Sequence, residues 1–280
     1  MDGPKTRLVL QALTLLVLAF LFFPLVLIFL YAFNSSNIES WPLPGLTFRW
    51  LSVTWNDDQV RTSLLLSVQA GLTATGIALL LGSCAAFAIH RTSFFGRDAV
   101  NLLFILPLAL PGIITAVALN AFFNFNGIPL SIWTIVIGHT TFCLVVVYNN
   151  VLARLRRTQG SLIEAAMDLG ANGWQVFRDI TLPLISTSVV AGAMLAFALS
   201  FDEIIVTLFT IGAGQETLPI WIFNNFFRPN QIPVVNVVAV LALLVSIVPV
   251  YLAYRLTREE GGATGRGAAP ETSVAVASEP

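Results

Sequence analysis

Long apolar stretches constrain the fold of this chain more than any other feature of its sequence. The first, Leu8 to Phe33, contains no charged residue and exceeds the roughly 20 apolar residues that an α-helix needs to cross a bilayer. Across all 280 residues, 56% are hydrophobic and 10% are charged. A bilayer admits only helices and closed barrels, and apolar runs of this length are typical of helices. The sequence therefore predicts an all-α, polytopic membrane protein.

Six segments reach membrane length and together predict one transmembrane domain over residues 1–257. These six spans cover residues 8–33, 62–89, 99–123, 131–152, 183–209 and 233–254. The first span lacks a small-residue cleavage site, so it is interpreted as a retained span rather than a signal peptide. Residues 258–280 show no periodicity and are predicted to form a disordered tail.

Two segments are expected to depart from straight membrane-spanning helices. Within the third span, Pro107, Pro111 and Gly112 should kink or break the helix, because proline removes a backbone hydrogen bond. Leu218 to Phe227 is mostly apolar, but it is too short to cross a bilayer. This segment is predicted to form an interfacial or re-entrant helix on the outer face.

The basic residues indicate how the six spans are oriented. An even number of spans places both termini on one side, and 11 of the 14 Lys and Arg residues fall on that side. The three exceptions are Arg49, Arg61 and Arg228. Because short cytoplasmic loops carry an excess of basic residues, both termini and the loop of residues 153–182 are predicted to be cytoplasmic.

The loop of residues 153–182 holds the one long polar run of the chain, with start and stop signals for short helices. Ser161 and Glu164 are spaced as a capping box at a helix start. Gly170 offers the left-handed backbone conformation that ends a helix, and Asn172 gives a second, weaker start signal. The apolar residues of this segment are Leu162, Ile163, Met167 and Leu169. Two short helices separated by a glycine bend are therefore predicted on the membrane surface.

The same loop resembles the signature of bacterial ATP-binding-cassette (ABC) importer permeases. The matching residues are Glu164, Ala165, Ala166, Gly170, Ile180, Leu182 and Pro183. In that family the loop is a coupling helix that seats in a groove of the ATPase subunit. The resemblance assigns this role to Glu164, Ala165, Ala166 and Gly170. Leu162 and Leu169 are added to this coupling set because their apolar side chains would contact the partner. The alternative is an amphipathic loop that packs on the protein's own helix ends.

This family resemblance covers nearly the whole chain and implies a type I ABC importer permease fold in the bacterial inner membrane, surrounded by lipid. It also implies three kinds of partner: two copies of an ABC ATPase, a second homologous permease and an extracytoplasmic solute-binding protein. No nucleic-acid partner is expected.

The chain lacks the residues that ATP hydrolysis needs. Lys5 is its only lysine, so the P-loop lysine that reaches ATP phosphates has no counterpart. The sequence therefore predicts no enzyme activity and no cofactor in this chain, with ATP and Mg²⁺ bound by the partner ATPase. Cys84 and Cys143 lie in apolar spans, and His90 and His139 have no companion at ligand spacing. Neither a disulfide nor a metal site is predicted, and both histidines are assigned to packing or to an interface.

Two acids interrupt the fifth span. Asp202 and Glu203 lie between apolar residues, and an acid within the bilayer costs about 2.5–3.5 kcal/mol on insertion scales. Such groups usually face a pathway or a partner, and no span offers a Lys or Arg to pair with them. A pathway position is expected for Asp202 first, because adjacent residues face different directions. The alternative is that both acids are solvated at the outer interface.

A narrower resemblance concerns the residues around these acids. The run Ser200 to Glu203, followed by Thr217-Leu218-Pro219, is similar to the second permease subunit of spermidine/putrescine importers. In that group the corresponding serine and acids, and a tryptophan matched by Trp50, are associated with polyamine handling. One position departs from the group, because Gly112 stands where an acid often follows the kink proline. This departure weakens the expectation of a polycation and admits a smaller or differently charged substrate.

The predicted function is the permease subunit of an ABC importer for a small cationic solute, a polyamine such as spermidine or putrescine. The site residues assigned to the substrate pathway are Trp50, Ser200, Asp202 and Glu203. One alternative is the same machinery with another cargo: an amino-acid-like cation, a phosphonate, iron or thiamine. The alternative from another class is a channel or scaffold that works without ATP.

Overall fold

The computed structural model describes the backbone of residues 3–158 and 160–263. In these residues the chain forms twelve α-helices, and one antiparallel bridge between Asn34 and Leu46 closes a loop. The helices are α1 (Pro4–Ala32), α2 (Arg49–Asn56), α3 (Asp58–Arg91), α4 (Arg97–Ala109), α5 (Gly112–Phe125), α6 (Ile132–Arg157), α7 (Gly160–Asp168), α8 (Gly173–Gln175), α9 (Leu182–Phe201), α10 (Ile205–Thr210), α11 (Leu218–Asn225) and α12 (Ile232–Ala263). A π-helical turn, Val176–Thr181, joins α8 to α9, and a 3-10 turn, Pro229–Gln231, precedes α12. The all-α fold predicted from the sequence is confirmed.

Five stretches in the described part of the chain are long and apolar enough to cross a membrane as single helices. They contain α1, α3, α6, α9 and α12. A sixth crossing requires α4 and α5 together, and these two helices are bent by 100° where they meet. The break falls after Ala109, where Pro111 begins the second helix as its N-cap. The predicted break in the third span is therefore confirmed.

The packing of α3 against α6 shows that the bent pair returns the chain along the bundle. Ala70 of α3 belongs to the same buried cluster as Ile135 near the start of α6. Further along α3, Gly82 approaches the carbonyl oxygen of Leu144, which lies further along α6. The two helices therefore run parallel. Since α3 and α6 point the same way, α4 and α5 must carry the chain back between them, which makes six passes in all.

Small side chains allow α3 to pack closely on its neighbours. The buried residues of α3 include Ser63, Ser67, Ala70, Gly71, Ala74, Thr75, Ala78, Gly82 and Ala86. A Cβ atom on Gly82 would stand 3.0 Å from a backbone oxygen of α6, so the two backbones are nearly in contact. Van der Waals packing of small residues is a main source of helix association in membranes. The helix α6 lies at the centre of the bundle and has the most buried residues of the described helices.

The predicted fifth span, residues 183–209, is not one continuous helix. It runs antiparallel to α6, with Arg154 beside Leu184 at one end and His139 beside Ser200 at the other. The helix α9 ends at Phe201, and α10 resumes at Ile205. It continues toward the start of α6, since Thr207 lies beside His139 and the carbonyl of Thr210 accepts from Thr134 Oγ1. The physical reason is a hydrogen bond from the N–H of Val206 to the side chain of Glu203, which competes with the helical backbone bonds. The apolar residues after the acids do continue the pass, as expected, but in a separate helix.

One other boundary differs from the sequence prediction. The last helix α12 continues to Ala263, so residues 258–263 are helical rather than part of a disordered tail. The sequence from Tyr254 to Glu260 contains good helix formers and no glycine or proline, which explains the extension. The remainder of the predicted tail, residues 264–280, lies outside the described residues. The short helix predicted within residues 218–227 is confirmed as α11.

Candidate functional site

The helix α7 ends in a glycine bend, as the sequence predicts. Gly170 has a φ of +90°, its N–H donates to the carbonyl of Met167 at 2.9 Å, and the N–H of Ala171 donates to Ala166 at 3.0 Å. These two bonds define a Schellman motif, which requires a left-handed residue at the position of Gly170. Because that conformation is unfavourable for residues with a Cβ atom, glycine fixes the angle at which the chain leaves α7.

One of the two predicted helix-start signals in this loop is wrong, and the other is confirmed. The helix α7 already begins at Gly160, so Ser161 lies inside the helix and cannot cap it from outside. At the start of α8, Asn172 Oδ1 accepts from the N–H of Gln175 at 2.9 Å, and Gln175 Oε1 accepts from the N–H of Asn172 at 2.8 Å. This is a complete capping box, although sequence reasoning gave it the lesser weight.

The segment around α7 presents an apolar surface to its surroundings. Leu162 is 48% exposed, Met167 is 52% exposed and Leu169 is 90% exposed. No residue of α7 is buried, and Glu164 and Ala165 are exposed as well. The alternative in which this loop packs on the protein's own helix ends would bury these side chains. The exposed apolar residues are typical of a surface for another protein.

Aromatic and polar contacts connect this loop to the ends of the long helices. Phe177, in the π-helical turn, packs edge-on against Phe87 of α3 with ring centroids 5.5 Å apart, and it also contacts Trp174. From the end of α6, Arg154 Nε donates to the carbonyl of Leu184 in α9 at 2.8 Å. The loop therefore contacts α3 through Phe177, and the ends of α6 and α9 on either side of it are joined by the bond from Arg154 to Leu184.

A second feature of interest is the break between α9 and α10, which contains both acids of the fifth span. Glu203 Oε1 accepts a hydrogen bond from the N–H of Val206 at 2.9 Å. A carboxylate that caps a free amide in this way starts a new helix at the expense of the old one. The break lies level with His139, seven residues inside α6 or roughly 10 Å by the helical rise. It is therefore inside the bundle rather than at its rim.

Glu203 faces a small cavity at the break between α4 and α5. The cavity has a volume of about 170 Å³, and its walls include Pro107, Gly112, Thr115 and Phe142. Apart from Glu203, no residue that lines it carries a charge. Among the residues that the structure describes, Glu203 forms no ion pair. A carboxylate without a countercharge in such a place can attract a cation.

Asp202 faces a different space. It lines an apolar groove of about 390 Å³ between α1 and α12, where its neighbours include Phe29 and Leu243. Its other lining residues are apolar except Ser246. Within the described part of the chain, Asp202 also lacks an ion-pair partner. The two adjacent acids thus do not share one cavity, as the alternation of neighbouring side chains suggested.

The other two residues assigned to the pathway are buried. Ser200 is 3% exposed, and its Oγ lies 2.7 Å from His139 Nδ1. Trp50 is 6% exposed, and its indole N–H donates to the carbonyl of Asn34 at 2.8 Å. Neither residue lines the cavity of Glu203 or the groove of Asp202. Neither side chain is therefore placed for direct contact with a solute in either space.

Sequence reasoning did not connect His139 with the acids. The imidazole of His139 is 2% exposed and contacts Ser200 on one side and Thr207 on the other, at 2.7 Å and 2.9 Å. These partners are 61 and 68 residues away in sequence, so local patterns carry no sign of them. The one available signal was a histidine in an apolar span, a residue that needs polar partners when buried. In the described residues, no group of His, Cys, Asp and Glu is arranged to hold a metal ion.

Comparisons with known proteins place these features in context. Residues 78–258 match the model of a family described as the binding-protein-dependent transport system inner membrane component. The spermidine/putrescine transport system permease protein PotC of Haemophilus influenzae is 32% identical over 250 residues, which cover 89% of this chain and 96% of the relative. The putrescine transport system permease protein PotI of Escherichia coli K12 is 34% identical over 258 residues, covering 88% of this chain and 90% of the relative.

Solved structures show a similar fold at lower sequence identity. One is a bacterial alginate ABC transporter in complex with an alginate pentasaccharide-bound periplasmic protein. The matching chain is 17% identical, with a TM-score of 0.64 over 91% of this chain and 94% of that chain. At this identity the likeness concerns the fold alone, and it extends over nearly all of the described helices.

Proposed function

Because the chain belongs to the family of binding-protein-dependent transport system inner membrane components, we propose that it is a permease subunit of an ABC importer for a polyamine such as spermidine or putrescine. Its location is the bacterial inner membrane, with both termini cytoplasmic. ATP and Mg²⁺ are bound by two copies of a separate ATPase. A second permease and an extracytoplasmic solute-binding protein complete the machine.

The observation that carries the coupling role is the exposed apolar surface of α7 beside a fixed glycine bend. A surface with Leu169 90% exposed is costly in water unless a partner covers it. Its position at the end of the bundle where α3 and α6 finish agrees with the cytoplasmic side indicated by the basic residues. The residues that would contact the ATPase directly are Leu162, Glu164, Ala165, Ala166 and Leu169, and Gly170 sets their orientation.

The connections of the loop supply a mechanism for coupling. When the ATPase subunits close on ATP, they displace α7, and the aromatic contact between Phe177 and Phe87 transmits the movement to α3. The helix α9 begins directly after the π-helical turn and extends 20 residues, or roughly 30 Å, to the break at Asp202. A displacement at the loop is therefore delivered by a nearly rigid helix to the place where the acids lie.

The exposed side of α4 and α5 is the best location for the second permease. None of the residues of α4 is buried, and Leu102, Leu103 and Leu106 are all exposed. The cavity of Glu203 opens at the break between these two helices. A carboxylate facing hydrocarbon is costly, so a protein partner is a better neighbour for this surface than lipid. The pathway would then run between the two permeases.

A cationic cargo follows from the charge of the two acids and from the likeness to PotC and PotI. Glu203 is the better placed of the two, because it faces the cavity at the α4–α5 break, whereas Asp202 faces the apolar groove beside α1. We therefore assign the direct contact with the passing amine to Glu203. Asp202 supplies a second negative charge at the same depth. Ser200 contacts His139 rather than the solute, and Trp50 lies in the buried cluster that contains Phe201, next to Asp202.

A smaller cation is the second candidate cargo, and Gly112 is the observation that favours it. Gly112 lines the cavity of Glu203, at the position where polyamine permeases often have an acid. With glycine there, the cavity contains one carboxylate rather than two. A diamine or an amino-acid-like cation has fewer charges to compensate than spermidine, and the site suits it accordingly.

The cognate binding protein gives the most direct access to the cargo. We expect it to bind spermidine or putrescine, measured by isothermal titration of the purified protein and by mass spectrometry of the ligand that it retains. Arginine and thiamine serve as cationic controls. Purification of the tagged permease should also recover an ATPase and a second permease. A chain that purifies alone and conducts solutes without ATP would be a channel, contrary to the proposal.

A further inference from the structure

His139 joins the two helices that flank the acid-bearing break. Its Nδ1 lies 2.7 Å from Ser200 Oγ, in the last turn of α9, and its Nε2 lies 2.9 Å from Thr207 Oγ1 in α10. All three side chains are at most 3% exposed. One imidazole from α6 therefore spans the gap that Asp202, Glu203 and Ile204 leave in the helix.

The positions of the hydrogen atoms in these bonds follow from matching each donor to an acceptor. Thr207 Oγ1 donates its single hydrogen to the carbonyl of Glu203 at 2.8 Å, so it must accept from His139 Nε2–H. The imidazole then carries its proton on Nε2, and Nδ1 accepts from the hydroxyl of Ser200. Every donor has one acceptor. The result is a directed relay from Ser200 through His139 and Thr207 to the backbone of Glu203.

This relay ends on the residue whose carboxylate we assign to the cargo. The carbonyl of Glu203 is held by Thr207, and its carboxylate is held by the N–H of Val206. The first turn of α10 is in turn pressed against α6, since a Cβ atom on Gly138 would stand 2.8 Å from Val206. The orientation of Glu203 therefore depends on α10, and the position of α10 depends on His139 and Gly138.

We propose that His139 is a positioning residue, which fixes the break between α9 and α10 so that the carboxylate of Glu203 points into the cavity at the α4–α5 break. The proposal rests on the proposed function, which assigns contact with the cargo to the carboxylate of Glu203. His139 does not touch the solute. It acts through Ser200 and Thr207, which explains why a buried serine stands beside the acids.

The test uses the complete importer, reconstituted in proteoliposomes with its binding protein and ATPase. His139→Phe keeps an aromatic ring but removes both hydrogen bonds, whereas His139→Gln retains one donor and one acceptor. We expect uptake of labelled putrescine to fall about tenfold in His139→Phe, with partial rescue in His139→Gln. The number of molecules imported per ATP hydrolysed should fall as well. His90→Phe, at the other histidine, is the matched control and should behave as the wild type.

A double-mutant cycle separates positioning from general damage. If His139 acts through Glu203, then His139→Phe should reduce uptake less than about twofold further in a Glu203→Gln background. The proposal is overturned if the two substitutions reduce uptake independently, so that their fold-losses multiply. It is also overturned if His139→Phe imports as many molecules per ATP hydrolysed as the wild type. Thr207→Val, which removes both hydrogen bonds of the hydroxyl and keeps the shape of the side chain, provides the same comparison if His139→Phe does not assemble.

A cysteine-labelling experiment, which needs no transported solute, tests the positioning role of His139 separately from the proposed function. Glu203→Cys is introduced into a background with Cys84→Ser and Cys143→Ala, and its labelling by a small thiosulfonate reagent is followed over time. Adding His139→Phe should change the labelling rate about fivefold, because His139 no longer fixes the break and the exposure of residue 203 changes. An unchanged rate would overturn the positioning role even if polyamine uptake is confirmed. A changed rate without any polyamine uptake would refute the cargo alone.

Discussion

Asp202 and Glu203 are consecutive in sequence, yet their side chains face different cavities on opposite sides of the fifth pass. Glu203 faces the cavity at the α4–α5 break, and Asp202 faces the groove between α1 and α12. The break in the helix makes this separation possible, since Glu203 turns to cap α10. The two acids therefore have different roles, and substitutions at each should have different consequences.

The first prediction compares the two acids directly. Glu203→Gln keeps an oxygen that can accept from the N–H of Val206 but removes the charge. Loss of a charge-assisted contact costs about 1.5–3 kcal/mol, so uptake of labelled polyamine should fall by about one to two orders of magnitude. Asp202→Asn should reduce uptake less. A larger loss in Asp202→Asn, at equal membrane abundance, would mean that the groove beside α1 is the pathway.

The second prediction concerns coupling, and two glycines offer a matched pair. A Cβ atom would meet nothing within 4 Å at either Gly170 or Gly173, but only Gly170 has a positive φ, of +90°. Gly170→Val should distort the end of α7 and lower the stimulation of ATP hydrolysis by loaded binding protein several-fold. Gly173→Val should leave the stimulation near the wild-type level. Equal behaviour of the two variants would refute the role of the bend.

The third prediction concerns helix packing, and it also uses two glycines, both in α3. A Cβ atom on Gly82 would stand 3.0 Å from a backbone oxygen of α6, whereas one on Gly76 would meet nothing within 4 Å. Gly82→Ala should destabilise the fold by about 1–3 kcal/mol, as overpacking typically does. Gly76→Ala should be neutral or slightly stabilising. Thermal unfolding in detergent measures both, and an unchanged midpoint for Gly82→Ala would contradict the close packing of α3 on α6.

The fourth prediction concerns orientation. Leu169 is 90% exposed at the α7 end of the bundle, and Phe227 is 78% exposed between α11 and α12 at the opposite end. In a background without Cys84 and Cys143, a membrane-impermeant thiol reagent added outside the cell should label Phe227→Cys and not Leu169→Cys. The reverse pattern would place α7 outside and exclude contact with a cytoplasmic ATPase.

Local features of this protein could be predicted from its sequence, and long-range ones could not. The bend at Gly170 and the break beside Pro111 depend on the backbone preferences of single residues, so both can be predicted from the local sequence. The break at Glu203 was missed because the apolar residues after it continue the pattern of a span. The relay through His139 was missed because its partners are brought together only by the packing of α6, α9 and α10. The prediction of a capping box at Ser161 was wrong, since α7 already begins at Gly160 and Ser161 lies inside it.

Transport by the complete importer tests the proposed function directly. Proteoliposomes should contain this chain, the second permease and the ATPase, with the binding protein outside and ATP inside. We predict uptake of labelled putrescine or spermidine that requires both ATP and the binding protein and that falls about one to two orders of magnitude in Glu203→Gln. Polyamine entry without ATP would contradict the assignment as an ABC importer, and import of another solute by the same complex with no polyamine uptake would contradict the polyamine cargo.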